Sequence, residues 1–339
     1  MPRKFLYSLH ALVSNYSSNQ ITHLLRDSLG AWTVTGNITA GPDSNNLVSI
    51  AANIQGSRVI FANYPLGEIV PLNFAGGVWS PGTPVASGGG NTSAVTMSDD
   101  GLHALSSGDF TSAVTPYEFN VGTGLWVAGT PVATGSTHLN SVRMTRDGSR
   151  AIVVPKYDDI AYPLARNPGT GLWSVGTGIA VASASERFFS VGFSIDGDVA
   201  IVGSNAAGVS SDGLIWNGST WSKVSVPAAM NSAVWRPDGL SAIGGNAAGE
   251  AGCLRVVHYD PIGHTFTAGQ VITDFTSGAV VSVALANDGI GDVGLAADFN
   301  HNQLTPLTYS RSTGLWTAGT VIASELFSRP WDMLIFPVW

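Results

Sequence analysis

The chain has one cysteine, Cys253, so it can form no disulfide within itself. No recognisable cysteine motif surrounds it, and it reads as a small buried apolar residue and not a nucleophile. Charge is scarce as well. Only 11% of the 339 residues are charged, the formal net charge is −8, and of 15 basic residues only Lys4, Lys156 and Lys223 are lysines. They are scattered and form no basic stripe, which argues against a nucleic-acid partner. No apolar run approaches the ~20 residues a helix needs to span a bilayer, so membrane insertion is not expected. The familiar catalytic motifs are missing too: no Gly-x-Ser-x-Gly elbow, no His-Glu-x-x-His, no phosphate loop. Of the seven histidines none lies within four positions of another, which argues against a local metal pair.

What the chain does contain is apolar and regular. Hydrophobic residues make up 44%, and 41 glycines are spread throughout, a composition that suits many short covered strands joined by tight turns. An aromatic turn phrase recurs at Trp32, Trp79, Trp126, Trp173, Trp221, Phe266 and Trp316, at intervals of 47, 47, 47, 48, 45 and 50 residues. A unit of that length cannot bury its own faces, so the units must stack. A closed ring of seven, a seven-bladed all-β propeller, is the natural solution.

The strands of each unit can be read in order. Thr92 to Met97 runs into Asp100-Gly101, and Asp-Gly supplies the positive φ that a tight hairpin requires. The ending recurs at Gln55-Gly56, Asp147-Gly148, Asp196-Gly197, Asp238-Gly239 and Asp288-Gly289. A second strand follows, then a third carrying Tyr117, Tyr162, Trp216, Tyr259 or Tyr309, then a Gly-rich turn and the Trp of a fourth. In the first strand Val95, Met97, Val142 and Met144 alternate with Ser49, Ala94, Ser141, Ser190, Ser232 and Ser282. Large against small suits the crowded ring axis, so this strand is taken as innermost.

The first unit lacks its inner strand, and Arg329 to Trp339 supplies a substitute at the other end of the chain. Residues 329–339 should complete the blade begun by 5–40, making residues 1–339 a single domain whose ring closes between the termini. Arg3 and Lys4 before an apolar stretch imitate a leader peptide. However, His10-Ala11-Leu12 matches the repeat strand His103-Ala104-Leu105, and is expected to be a strand. The aromatic column is expected to be structural, since a ligand site would need one or two such residues. A Trp burying about 200 Å² contributes roughly 5 kcal/mol as an upper value.

The Ser-x-Asp-Gly turn followed by an apolar strand resembles the YVTN and TolB-type propeller repeats, over most of the chain. Ala242-Ile-Gly-Gly-Asn followed by Tyr259-Asp-Pro and Phe266 is similar to a kelch blade. The double glycine at the end of the second strand is absent from the other units, no WD dipeptide recurs from unit to unit, and no specific activity is implied.

Chemistry is harder to find. Gly122-Thr-Gly124 and Gly169-Thr-Gly171 lack a third glycine and read as turns. Asp298-Phe-Asn300-His301-Asn302 alternates oxygen ligands in the manner of a calcium loop but lacks its glycine and bidentate acid, and reads as a turn. Residues just before each inner strand should converge on the mouth of the central channel. Aligned on the Asp-Gly turns, these are Asn46, Asn91, His138 and Arg187, with Asn140, Glu186 and Asn231 nearby, while Asp332 replaces the Ser column in the closing blade.

Such a rim would bind a ligand such as a sugar through its amides, or calcium through Glu186 and Asp332 with the Asn oxygens; no other cofactor is expected. The alternative is that these residues only make turns. Composition, poor in Lys and rich in Gly, Ser, Thr and Asn, favours a noncatalytic binding or assembly propeller, virion or extracellular, with a protein or glycan partner. Trp331, Phe188, Phe189 and Phe327 are its candidate sugar-facing aromatics, with core packing as the competing reading of each. The second reading is a calcium-dependent lactonase-like hydrolase working at the channel mouth.

Overall fold

The structure is a computed structural model and describes residues 8–40, 46–88, 90–181, 188–204, 209–245, 253–273, 275, 280–287 and 291–338. Seven antiparallel sheets stand around an axis, and among the described residues no helix forms. Blade 3 shows the plan: inner strand Asn91–Met97, then His103–Asp109, Ala113–Asn120 and outer strand Leu125–Ala128, each paired with the one before. The Asp-Gly and Gln-Gly hairpins turn on Gly56, Gly101, Gly148, Gly197 and Gly239, with φ of 65 to 74°. The Asp288-Gly289 turn lies outside the described residues.

In blades 2, 3, 4 and 7 the outer edge is broken into two short pieces that both pair with the third strand. Blade 3 shows why: Gly129 donates its N–H to Pro116 O, and Pro131, with no N–H, cannot continue the ladder.

The ring closes as expected. Pro330–Val338 pairs antiparallel with Ser8–Asn15, in the sheet that continues through Gln20–Arg26 to Trp32–Thr39. His10, Ala11 and Leu12 therefore lie in a paired strand.

Each aromatic of the repeat packs between its own blade and the preceding one. Trp79 sits with Leu12, Ile21 and Phe336 of blade 1, and Trp126 with Ile60 and Ile69 of blade 2. Cys253 is buried, as its apolar character requires.

The inner strands supply the channel wall. Ser49, Ala94, Ser141, Ser190, Ser232, Ser282 and Asp332 all line one cavity on the axis. Small residues belong there for a second reason besides packing: their hydroxyls bond the neighbouring blade. Ser49 Oγ accepts Val95 N–H at 3.2 Å, and Ser93 Oγ donates to Leu139 O at 2.6 Å.

Candidate functional site at the channel mouth

The axial cavity measures 660 Å³, within the range of small-molecule sites, and inner strands of all seven blades line it. Its mouth is the face where inner strands begin and where second strands turn into third strands.

Two backbone features of the repeat aim side chains there. Asn46, His138 and Arg329, each directly before an inner strand, hold left-handed backbone with φ of 75, 58 and 52°. Such conformations are uncommon for non-glycine residues and persist only where surrounding structure holds them. In blade 3 Gly90 takes the left-handed position with φ of 65°, so Asn91 enters the strand and pairs with Asp109. Two residues further on, the inner strands of blades 2, 4 and 1 each carry a register shift, over Leu47/Ser49, Leu139/Ser141 and opposite Ser14/Asn15. A bulge re-aims its extra residue. In this way Val48, Asn140 and Trp331 come to line the cavity.

Beside each bulge, the residue at the mouth end of the second strand, its last or the one just after it, forms a column that the sequence motifs do not single out. It holds Tyr16 in blade 1, Tyr64 in blade 2, Asp109 in blade 3 and Lys156 in blade 4, all four on the cavity wall. The N–H groups of Tyr16 and Lys156 donate to the carbonyls of Arg329 and His138, at 3.0 and 2.8 Å, pinning the column to the left-handed position. The signal was there to find: in blades 2, 3 and 4 these residues stand eight positions after the turn glycines Gly56, Gly101 and Gly148.

Asp109 is the hub. Its Oδ1 lies 2.5 Å from His138 Nδ1, its Oδ2 accepts the Tyr64 hydroxyl at 3.0 Å, and Lys156 Nζ stands 3.8 Å away. Burial pushes the carboxyl pKa up. The bonds from His138 and Tyr64, and the charges of Lys156 and His138, outweigh it, so the net shift is downward. Tyr64 is displaced upward, first by burial and then by the neighbouring carboxylate, although Asn91 bonds it in the opposing sense. The site therefore pairs an ionised acid with a phenol that keeps its proton. The His138 ring lies edge-on to Phe110 and Tyr157, with centroids 4.9 and 5.2 Å away.

Deeper in the channel, Asp332 faces donors on every side. Ser49 Oγ and Ile50 N–H donate to Oδ2 at 3.1 Å each, Met333 N–H and Ser282 Oγ to Oδ1 at 2.9 and 3.3 Å. Arg143 reaches from blade 4 to within 3.7 Å. Those partners suit a carboxylate that locks the closing strand to blades 2, 7 and 4. They do not fit a calcium ligand, because a cation there would meet a guanidinium and four donors. Among the described residues no group of three or more His, Cys, Asp or Glu is placed to hold a metal ion.

Of the remaining sequence candidates, Glu186 and Arg187 lie outside the described residues, as do the side chains of Phe188 and Phe189. Asn231 is buried in the blade 6 wall, and Phe327 is core. Trp331 is at the mouth. Asp298 makes the turn anticipated for it, accepting the N–H groups of Asn300 and His301.

No protein-family model matches this chain, and no curated protein matches it in sequence. Solved structures do match in fold. A proposed 6-phosphogluconolactonase from Bacteroides uniformis is 14% identical with a TM-score of 0.78, over 97% of this chain and 99% of that one. The periplasmic gluconolactonase of Pseudomonas aeruginosa is 16% identical with a TM-score of 0.75, over 98% and 100%. At this identity the likeness establishes the seven-bladed propeller. The leading functional expectation, a noncatalytic binding or assembly module, is corrected on the names of three matching propellers, two proposed 6-phosphogluconolactonases and a gluconolactonase, which agree better with the alternative, a lactonase-like hydrolase.

Proposed function

We propose that the protein is a lactonase-like hydrolase that opens a cyclic ester at the mouth of its central channel. The observation that carries the reading is the Tyr64–Asp109–His138 chain with Lys156 beside it: Tyr64, Asp109 and Lys156 line a cavity of small-molecule size, and His138 is bonded to Asp109 next to that lining.

Lactone hydrolysis needs a base to take a proton from water, donors for the oxyanion that forms at the carbonyl, and a proton for the departing ring oxygen. Asp109, held ionised, is too weak a base for the first task. It is suited to hold His138, whose Nδ1–H donates to the carboxylate and leaves the Nε2 lone pair to accept the water proton. The same proton, returned from Nε2, neutralises the ring oxygen as the C–O bond breaks and the hydroxy acid forms. Asn140, on the cavity wall, supplies an oxyanion donor from its amide, while Lys156 stays beside Asp109 and keeps it ionised. Tyr64 fixes the second carboxylate oxygen, so Asp109 has one orientation available for His138.

The test is a pH-stat assay of the full-length chain against sugar lactones, with spontaneous hydrolysis subtracted. Asp109→Asn and His138→Ala should each lower kcat by about 100-fold or more, with KM changed little. A parent protein no faster than background, or variants that keep full activity, would overturn the assignment.

A further inference from the structure

Among the similarly folded propellers that carry lactonase names, some are named for a phosphorylated gluconolactone and one for the unphosphorylated lactone. Fold alone does not choose between them, but the charges of this cavity do. Resting on the hydrolase reading above, we propose that the substrate is an uncharged sugar lactone whose ring stacks on an aromatic wall made by Tyr16 and Trp331.

Five described residues on the cavity wall carry charge: Asp109, Arg143, Arg146, Lys156 and Asp332. Each cation is already matched to a carboxylate. Arg143 lies 3.7 Å from Asp332 and also donates to Val95 O at 3.1 Å, Lys156 lies 3.8 Å from Asp109, and Arg146 at the far end lies 2.5 Å from Asp99. Counting Asp99, which stands just off the wall, the described cations and carboxylates balance. A phosphate dianion is held by cations free to give it charge-assisted bonds. Here it would have to draw Lys156 from Asp109 or Arg143 from Asp332, leaving a carboxylate uncompensated. Arg329, directly before the closing strand, does not line the cavity; its guanidinium lies over the Phe299 ring, 5.4 Å from the centroid.

The opposing observation is what the wall offers an uncharged ring. Tyr16 and Trp331 both line the cavity at its mouth, with centroids 5.1 Å apart and planes 32° from each other. Phe299 stands against both, at 6.0 and 5.3 Å, and holds them in place from blade 7. Two half-buried aromatic faces beside the hydroxyl, amide and carboxylate groups of Tyr64, Asn140 and Asp109 make an amphipathic pocket. The C–H face of a pyranose lies on the rings while its hydroxyls meet the polar side.

The test compares glucono-δ-lactone with its 6-phospho derivative on the same preparation. The uncharged lactone should be favoured by about 100-fold in kcat/KM. Trp331→Leu, which keeps bulk and loses the stacking face, should raise KM for it about 10-fold with kcat little changed, and Trp331→Phe should restore most of the loss. Preference for the phosphorylated lactone, or a Trp331→Leu enzyme with parental KM, would overturn this inference while leaving the hydrolase standing. Hydrolysis of neither lactone nor of any other in the panel would overturn both.

Discussion

Replacing Asp332 by alanine should loosen the whole ring, because this one carboxylate ties the closing strand to three other blades. It accepts Ser49 Oγ and Ile50 N–H of blade 2, Ser282 Oγ of blade 7 and, at longer range, Arg143 of blade 4. Hydrogen bonds to a charged group contribute about 1.5–3 kcal/mol each, but they do not add here. The two serine hydroxyls can turn to water in the cavity, so the main losses are the fixed N–H groups of Ile50 and Met333 and the pairing of Arg143. A loss of about 3 kcal/mol is expected. With an unfolding entropy of about 2.1 cal/mol/K per residue over 339 residues, that lowers Tm by about 4 °C. Asp332→Asn keeps the shape and one acceptor and should fall about halfway. Calorimetry of the three proteins at neutral pH is the assay. An alanine variant melting within about 1 °C of the parent would refute the idea that the carboxylate locks closure.

Three further outcomes follow from the fold. His10 and His23 share a hydrogen bond of 2.8 Å beside Thr35, Phe74, Trp79 and Phe336. Burial lowers both pKa values, with the charge of His10 adding to the fall of His23 from 6.5 to about 4. The unfolded chain binds protons there that the folded chain refuses, so stability should hold above pH 6.5 and decline as pH falls toward 4. Discounted for partial exposure, the decline is about 1–2 kcal/mol, and His23→Gln should remove it in urea titrations at stepped pH; an unchanged slope would count against it. Deleting the chain from Pro330 onward exposes the edge of Ser8–Asn15 and should abolish the cooperative melt; a truncated protein melting like the parent would show that closure contributes nothing. Gly192→Ala would place a Cβ 2.1 Å from Ala233 O of the next blade and should cost about 1–3 kcal/mol, read as a lower urea midpoint with an unchanged slope.

The blades were legible because their signals are local. Asp-Gly turns, the alternation of Val95 and Met97 with Ala94, and the Trp or Phe at each outer strand depend on residues a few positions apart. The closing strand was legible as well, since the spacing after Trp316 repeats that after Trp126. The mouth was legible only in part. Aligning on the turn glycines brought His138, Asn140 and Asn91 to it, but not their partners Asp109, Tyr64 and Lys156, which belong to other strands. Those side chains stand at the mouth ends of the second strands of three consecutive blades, so no short motif contains them, and their meeting depends on how adjacent sheets stand around the axis. Asp332 gives the converse lesson. Its position in the serine column was visible in the sequence, while its partners, drawn from Ser49, Ser282 and Arg143 across the ring, were not. By itself the sequence determined the number of blades, their strands and the closure, because a period and a pairing pattern are properties of the chain taken in order. Only the tertiary structure decided which polar groups face one another across the channel mouth, because that is set by the ring, where residues separated by whole repeats become neighbours.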